Sequence, residues 1–225
     1  MLGVLGGMGP AATVDFLAKF VALTPAQRDQ EHLPVLTTMA PHIPDRSSAI
    51  LGQGPSPLPV LLRELDKLVA GGASAIAIPC NACHHWYEAL QAACPVPILH
   101  IATATMAALE PGPDPVVILA TRGTLHSGFY QRQLHSAGHA WGVPDEAGQQ
   151  QVDRVIALVK AGAVEEAGRV LATLWQPWAS QAGQLILACT EIPLAAAALP
   201  VSALRLVDST HELARYSVAH CLAKR

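Results

Sequence analysis

The chain has 225 residues, 51% of them hydrophobic and 14% charged, with a formal net charge of −3. That length suits one large domain or two of about 100 residues each, and the composition excludes disorder while favouring parallel sheets buried under helices. The charge balance and the lack of a basic stripe exclude nucleic acid as an expected partner. No run approaches the roughly 20 apolar residues of a membrane span, so no membrane partner is expected either. The opening MLGVLGGMGP has no charged leader region and reads as a strand and turn, which makes a cytoplasmic location the expectation. Five cysteines at positions that suggest no disulfide ladder then remain free thiols.

In chain order, Met1 to Leu5 reads as a first strand and Gly6-Gly7-Met8-Gly9-Pro10 as a tight turn into a helix ending near Leu23. Gly7 and Gly9 let backbone approach a ligand closely, and the helix start offers unpaired N–H groups to an anion, although turn geometry alone also demands glycine. Leu33 to Thr38 is a second strand, leading into the shaped loop PHIPDRSS. In that loop Arg46 is a planar cation suited to gripping a carboxylate, or a solvated surface residue. Residues 52–59 are rich in Gly and Pro and form a candidate lid before an amphipathic helix from Leu58 to Ala70.

A buried strand ending at Ile78-Pro79 then delivers Cys80, Asn81, Cys83 and His84, followed by a helix over residues 82–92 with Trp86 and Leu90 on its packed face. Val96 to Ile101 is a further strand, and after the EPGPDP turn a strand over Val116 to Ala120 ends in Thr121-Arg122-Gly123-Thr124. A short helix and a connection occupy residues 131–145, and helices follow over Glu146 to Lys160 and Val164 to Trp175. The strand Gln184 to Ala188 runs into Cys189-Thr190-Glu191, and a last strand, Leu204 to Asp208, precedes a helix over Thr210 to Ala223. Two features repeat between the halves: a strand ending on a cysteine, and a strand, polar glycine turn and helix. They predict an internally duplicated α/β protein with one lobe over residues 1–100, completed by 207–225, and a second over 101–206.

Two thiols facing each other across a cleft between similar lobes suit removal of a proton from one face of a carbon and its return to the other. Free cysteine titrates near 8.5 and helix N-termini lower that, so a thiolate base is plausible near neutral pH. Asn81 and Thr190, each next to its cysteine, are placed to stabilise charge that develops on a substrate carboxylate. No metal or organic cofactor is demanded. His84 is one turn from Cys80 and Glu191 two residues from Cys189, so each is a supporting candidate; Asp15, His42 and His100 are further candidates for the cleft. The spacing Cys80-x-x-Cys83-His84 also fits haem attachment, which needs an exported context, and a zinc site, which lacks a fourth ligand. It fits a redox dithiol too, a reading that gives Cys189 no role. Buried cysteines that simply fill space are the remaining reading, and the natural one for Cys83, Cys94 and Cys221.

The set GGMGPAAT, PHIPDRSSAI, PCNACH, TRGTLHSGFY and CTEIPL, at residues 6–13, 41–50, 79–84, 121–130 and 189–194, resembles the cofactor-independent aspartate/glutamate racemases. Gly6-Gly7-Met8, where glutamate racemases carry Asp-Ser, places the resemblance in the aspartate branch. It implies two α/β lobes related by a pseudo-twofold axis, a homodimer, a small amino-acid or dicarboxylate substrate and no pyridoxal phosphate. Cys80 and Cys189 are then the acid/base pair, and Asn81 and Thr190 hold the α-carboxylate. Arg46, helped by Lys160, binds the distal carboxylate, while Met8 and its turn border the substrate, and Thr121 and Thr124 are supporting candidates. The chain departs from the family pattern at Ala82 and Cys83, where Thr-Ala is usual, at Ala188 for glycine, and at Arg122. The wider superfamily also includes isomerases and decarboxylases of small carboxylic acids, which stand as the alternative activity beside a non-catalytic binding role.

Overall fold

The computed structural model describes residues 1–175, 182–197 and 204–224. Its first strand, β1 (Leu2–Gly6), has every residue buried, as expected of a parallel strand covered on both faces. It pairs in parallel with β2 (Val35–Met39) on one side and β3 (Ala75–Ala77) on the other, and β3 pairs with β4 (Ile98–Leu99). The second sheet contains β5 (Val116–Ala120), β6 (Trp141–Gly142), β7 (Gln184–Ala188) and β8 (Arg205–Asp208), again all parallel. The orders are β2-β1-β3-β4 and β6-β5-β7-β8. Strand for strand the second repeats the first, so β3 and β7 hold equivalent places. This is the duplicated α/β architecture that the sequence predicts.

Helices cover both faces. In chain order they are α1 (Pro10–Leu23), α2 (Arg46–Ile50), α3 (Leu58–Ala70), α4 (Tyr87–Ala93), α5 (Ile101–Met106) and α6 (Arg122–Ser127). Then come α7 (Phe129–Ser136), α8 (Glu146–Lys160), α9 (Val164–Trp175), α10 (Ile192–Ala196) and α11 (Ser209–Leu222). Period-two alternation divides the core: Leu5 and Ile76 pack with Leu61 and Leu65 of α3, while Leu2 and Val4 pack with Phe16 and Phe20 of α1 and Leu213 of α11. The C-terminal helix α11 therefore covers the first sheet, although β8 just before it is an edge strand of the second. Asp208 joins the two arrangements. Its carboxylate caps α11 through the N–H groups of Thr210 and His211 and accepts from Lys19 Nζ of α1 at 2.7 Å.

Four local differences from the sequence reading have identifiable causes. The loop expected around Arg46 becomes α2, because Asp45 accepts from the Ser48 N–H at 2.8 Å and caps a helix. The strand expected over residues 96–101 stops at Leu99, where the His100 ring accepts from the Ala102 N–H and caps α5. The helix expected from residue 82 begins as a 3₁₀ turn over Ala82–Trp86 and becomes α-helical only at Tyr87. A break at Gly128, with φ of 69°, divides the segment after β5 into α6 and α7.

Candidate active site

The parity of β3 continues past its last ladder residue, so Ile76, Ile78 and Cys80 belong to one apolar cluster. Beyond Cys80 the chain turns: Asn81 adopts φ −60° and ψ −50° and opens the 3₁₀ turn. His84 closes that turn against the strand end. Its Nε2 accepts from the Ile101 N–H at 3.2 Å, which leaves the ring proton on Nδ1 to donate to the Cys80 carbonyl at 2.9 Å. Burial, with a smaller contribution from His100, pushes the His84 pKa down to about 3, so the ring is neutral. The structure thus gives His84 a hold on the backbone of Cys80.

Asn81 is fixed by side chains of α7 and of the start of α11. Its Oδ1 accepts from the Tyr130 hydroxyl at 2.7 Å and its Nδ2 donates to Ser209 Oγ at 2.9 Å; Ser209 in turn donates to the Leu187 carbonyl of β7. One Asn81 N–H remains for another acceptor. Sequence reasoning did not single out Tyr130 or Ser209. The signals available were Tyr130 closing the TRGTLHSGFY block and Ser209 standing at the mouth of the last strand.

Cys189 is the first residue after β7 and shares a cluster with Leu185 and Leu187, the same parity by which Cys80 follows Ile76 and Ile78. Its Sγ donates to Glu191 Oε2 at 3.1 Å, and Thr190 Oγ1 donates to the same oxygen at 3.4 Å. Burial first, and the Glu191 charge next, push the Cys189 thiol well above the usual range. Glu191 is itself buried, and its Oε1 has no hydrogen-bond partner among the described residues. That oxygen faces the glycine turn, where a Cβ on Gly9 would lie 3.0 Å from it.

Cys80 and Cys189 line one cavity of about 30 Å³. Met8, Arg46, Asn81, Thr121, Thr124, Lys160, Thr190 and Glu191 complete most of its wall, together with Asp45, Ser47 and Ala82. Arg46 is buried, and one guanidinium nitrogen, Nη1, donates to the Ile43 and Pro44 carbonyls at 3.2 and 3.1 Å. Burial works to lower the Arg46 pKa, but the neighbouring Cys80 sulfur, and after it the Asp45 carboxylate, raise it overall. The two thiols therefore stand in opposite fields, Cys80 beside a cation and Cys189 beside a carboxylate. Thr121 and Thr124 also serve each other: Thr121 Oγ1 accepts the Thr124 N–H and caps α6. Ala82 presents only a methyl group to the cavity.

An outer cleft of about 520 Å³ adjoins this cavity, sharing Asp45, Arg46, Lys160 and Glu191 with it and adding Gly7 and Gly9. Lys160, the last residue of α8, and Asp45, the cap of α2, thus stand between the two spaces, and Lys160 lowers the Asp45 pKa behind the larger effects of burial, which raises it, and of Ser48, which lowers it. Gly7 has φ of +93°, and a Cβ there would lie 2.4 Å from the Ala40 nitrogen. No other residue fits that turn without a shift.

Several sequence candidates lie elsewhere. Asp15 pairs with Lys19, and His42 is 4.0 Å from Glu64. His100 and His84 line a separate cleft of about 670 Å³ with Tyr87, Phe129 and Arg132, which contains neither Cys80 nor Cys189. Arg122 is engaged outside the cavity, bidentate to Glu146 and 2.7 Å from Asp153 of α8. Both His84 ring nitrogens are occupied, and among the described residues no three His, Cys, Asp or Glu side chains are gathered to hold a metal. Nor is any described helix long and apolar enough to cross a membrane.

Comparison with known proteins places this geometry. The model of a family described as Asp/Glu/Hydantoin racemase matches residues 5–216. The chain is 29% identical over 238 residues to the broad specificity amino-acid racemase RacX of Bacillus subtilis (strain 168), covering 99% of both. Among solved structures it superposes on Picrophilus torridus aspartate racemase with a TM-score of 0.87 and 28% identity, over 98% of this chain and 93% of that one. Glutamate racemase from Campylobacter jejuni subsp. jejuni shares the fold at a TM-score of 0.67 and 18% identity, over 98% and 86% of the two chains.

Proposed function

The chain belongs to the Asp/Glu/hydantoin racemase family, and from that premise we propose that it inverts the α-carbon of an amino acid by proton transfer between Cys80 and Cys189, with no cofactor. The observation that carries this reading is that the two thiols come from equivalent strand ends in the two lobes and line the same cavity. A carbon held between them loses its proton to one sulfur and gains one from the other, so its configuration inverts.

The opposite surroundings of the two thiols support a division of roles. Cys80, beside the Arg46 cation, takes the part of the base that abstracts the proton. Cys189, hydrogen-bonded to Glu191, is the thiol that delivers one. As Cys189 gives up its proton, Thr190 and Lys160 accompany the charge left in the cavity, and the second enantiomer reverses the sequence. The α-carbon of an amino acid is a weak acid, so the developing negative charge must be met by donors already in place. The free N–H of Asn81, the hydroxyl of Thr190 and the cations Arg46 and Lys160 are those donors. Aspartate, and next glutamate, is the substrate this cationic pair favours. The outer cleft, and the broad specificity that the name of the Bacillus relative states, make a wider amino-acid panel the informative assay.

The test is proton NMR of purified protein in D₂O with both enantiomers of aspartate, glutamate and a panel of neutral and basic amino acids. Loss of the α-proton signal with inversion for at least one pair is the expected result. Absence of exchange for every amino acid, at protein concentrations that reveal slow turnover, contradicts the reading and turns attention to other small carboxylic acids.

A further inference from the structure

The proton-transfer scheme leaves one thiol of the PCNACH segment unused. Cys83 is fully buried, lines no part of the cavity, and packs in the same cluster as Cys80. Its place in the turn is specific. Asn81 is in the right-handed helical region, the His84 N–H bonds to the Asn81 carbonyl at 3.0 Å, and residues 82–86 are 3₁₀. Cys80 itself precedes the turn, but Asn81 and Ala82, the two residues that separate it from Cys83, are both helical, which sets the two Cα atoms about 6 Å apart. That falls inside the Cα separation a disulfide tolerates, about 4.4–6.8 Å. Burial first, and the charge of Cys80 next, push the Cys83 thiol well above its usual range, while Arg46 works to lower it.

We propose that Cys83 is a resolving thiol: when a hydroperoxide oxidises Cys80, Cys83 closes a Cys80–Cys83 disulfide that shuts the active site reversibly. The two residues divide the labour by access. Cys80 forms part of the cavity wall and can meet a small oxidant, whereas Cys83 sits behind it with no exposed surface. The Cys80 thiolate attacks one peroxide oxygen, the O–O bond breaks, and the departing alkoxide or hydroxide takes up a proton, leaving Cys80 as the sulfenic acid. Cys83 sulfur then attacks the Cys80 sulfur, the S–S bond forms as the S–O bond breaks, and the hydroxide leaves with the Cys83 proton as water. Two thiols together give up two electrons and two protons, and the peroxide becomes water or alcohol and water. A dithiol reductant reverses the product by exchange. Without Cys83 the sulfenic acid stays open to a second oxidation, to the sulfinic state that thiols do not reverse.

The experiment exposes the full chain to hydrogen peroxide, quenches it by alkylation and maps the thiols by mass spectrometry, for wild type and Cys83→Ala. In wild type the expected product is a loss of about 2 Da localised between Cys80 and Cys83, with activity restored by dithiothreitol. In Cys83→Ala basal turnover is retained, Cys80 gains about 32 Da as sulfinic acid, and the activity recovered falls about tenfold. The mass readout stands whether or not any amino acid is turned over. Four results overturn the proposal: a disulfide from Cys80 to Cys189, sulfinic acid at Cys80 with Cys83 still alkylatable in wild type, equal recovery in both proteins, or peroxide that modifies neither thiol. If Cys83→Ala does not fold, the wild-type map alone decides.

Discussion

Replacing Tyr130 by Phe removes a single oxygen from the interior and isolates what holds Asn81 beside Cys80. The Tyr130 hydroxyl donates to Asn81 Oδ1 at 2.7 Å and lies 3.3 Å from Thr105 Oγ1. Burial pushes the phenol pKa upward, so it remains a neutral donor throughout the accessible pH range. Both side chains are buried, Asn81 at 2% and Tyr130 at 1% exposure, so water cannot replace the lost donor. An acceptor stranded in this way costs about 1–3 kcal/mol, against 0.5–1.5 for a typical net hydrogen bond. For a chain of this size that lowers Tm by roughly 2–4 °C per kcal/mol, and the ring itself still fills its place. The same change frees the Asn81 amide to turn, so kcat/KM falls by about tenfold for each 1.4 kcal/mol of transition-state stabilisation lost. Urea denaturation and racemisation kinetics on Tyr130→Phe, Asn81→Ala and the double variant measure both effects. Coupling of about 0.5–3 kcal/mol between the two sites is expected. A Tyr130→Phe protein with wild-type kcat/KM and stability within about 0.5 kcal/mol would refute the idea that this network positions Asn81.

Glu191→Gln keeps the shape beside Cys189 but removes the charge that helps hold its proton, so alkylation of Cys189 should begin at lower pH than in wild type. An unchanged pH profile of alkylation, followed by peptide mapping, would remove Glu191 from the acid/base scheme. His84 and His100 have pKa values lowered by burial to about 3 and about 4, against 6.5 unfolded, so their neutral forms favour the folded state above 6.5. That contribution is lost as pH falls from 6.5 toward those values, about 2 kcal/mol for each by pH 5. Denaturation of wild type and His84→Gln at pH 7.5 and pH 5 should show a shallower loss in the variant, and parallel losses would contradict it. Gly7→Ala forces a side chain onto a left-handed residue and against Ala40, and is expected to cost roughly 2–4 kcal/mol by the same denaturation assay; a stability equal to wild type would show that the turn relaxes freely.

Most of the fold was legible because strands buried on both faces read as short apolar runs and the duplication repeats them in order. Those runs are punctuated by local signals such as Gly7 at the first turn and the Gly-Gly pair before β3. What escaped the sequence reading were elements set by single side chains acting on backbone, such as Asp45 capping α2 and His100 capping α5, where neither residue carries an apolar periodicity. The candidate site was legible where residues neighbour their strand ends, as Cys80, Asn81, Cys189 and Thr190 do. Arg46 and Lys160, 114 positions apart in the sequence, meet at the same cavity only through tertiary packing, and Lys160 entered the reading through the family resemblance alone. Tyr130 and Ser209 escaped because each holds Asn81 from a distant part of the chain, which no local pattern encodes. His84 shows the converse: its position one turn from Cys80 pointed to the thiol, yet its ring nitrogens are spent on the Cys80 carbonyl and the Ile101 N–H.

The central claim is that Cys80 and Cys189 act on opposite faces of one carbon. It is tested most directly by solvent exchange in D₂O with Cys80→Ser and Cys189→Ser, each assayed on the separate enantiomers of whichever amino acid the wild type racemises. Loss of one acid/base group should cut racemisation by about 10²–10⁴-fold in each variant. The residual exchange should be confined to one enantiomer in Cys80→Ser and to the other in Cys189→Ser, because each protein keeps the thiol that faces only one of them. Exchange of both enantiomers at equal rates in either variant, or racemisation by either at the wild-type rate, would contradict the two-thiol account.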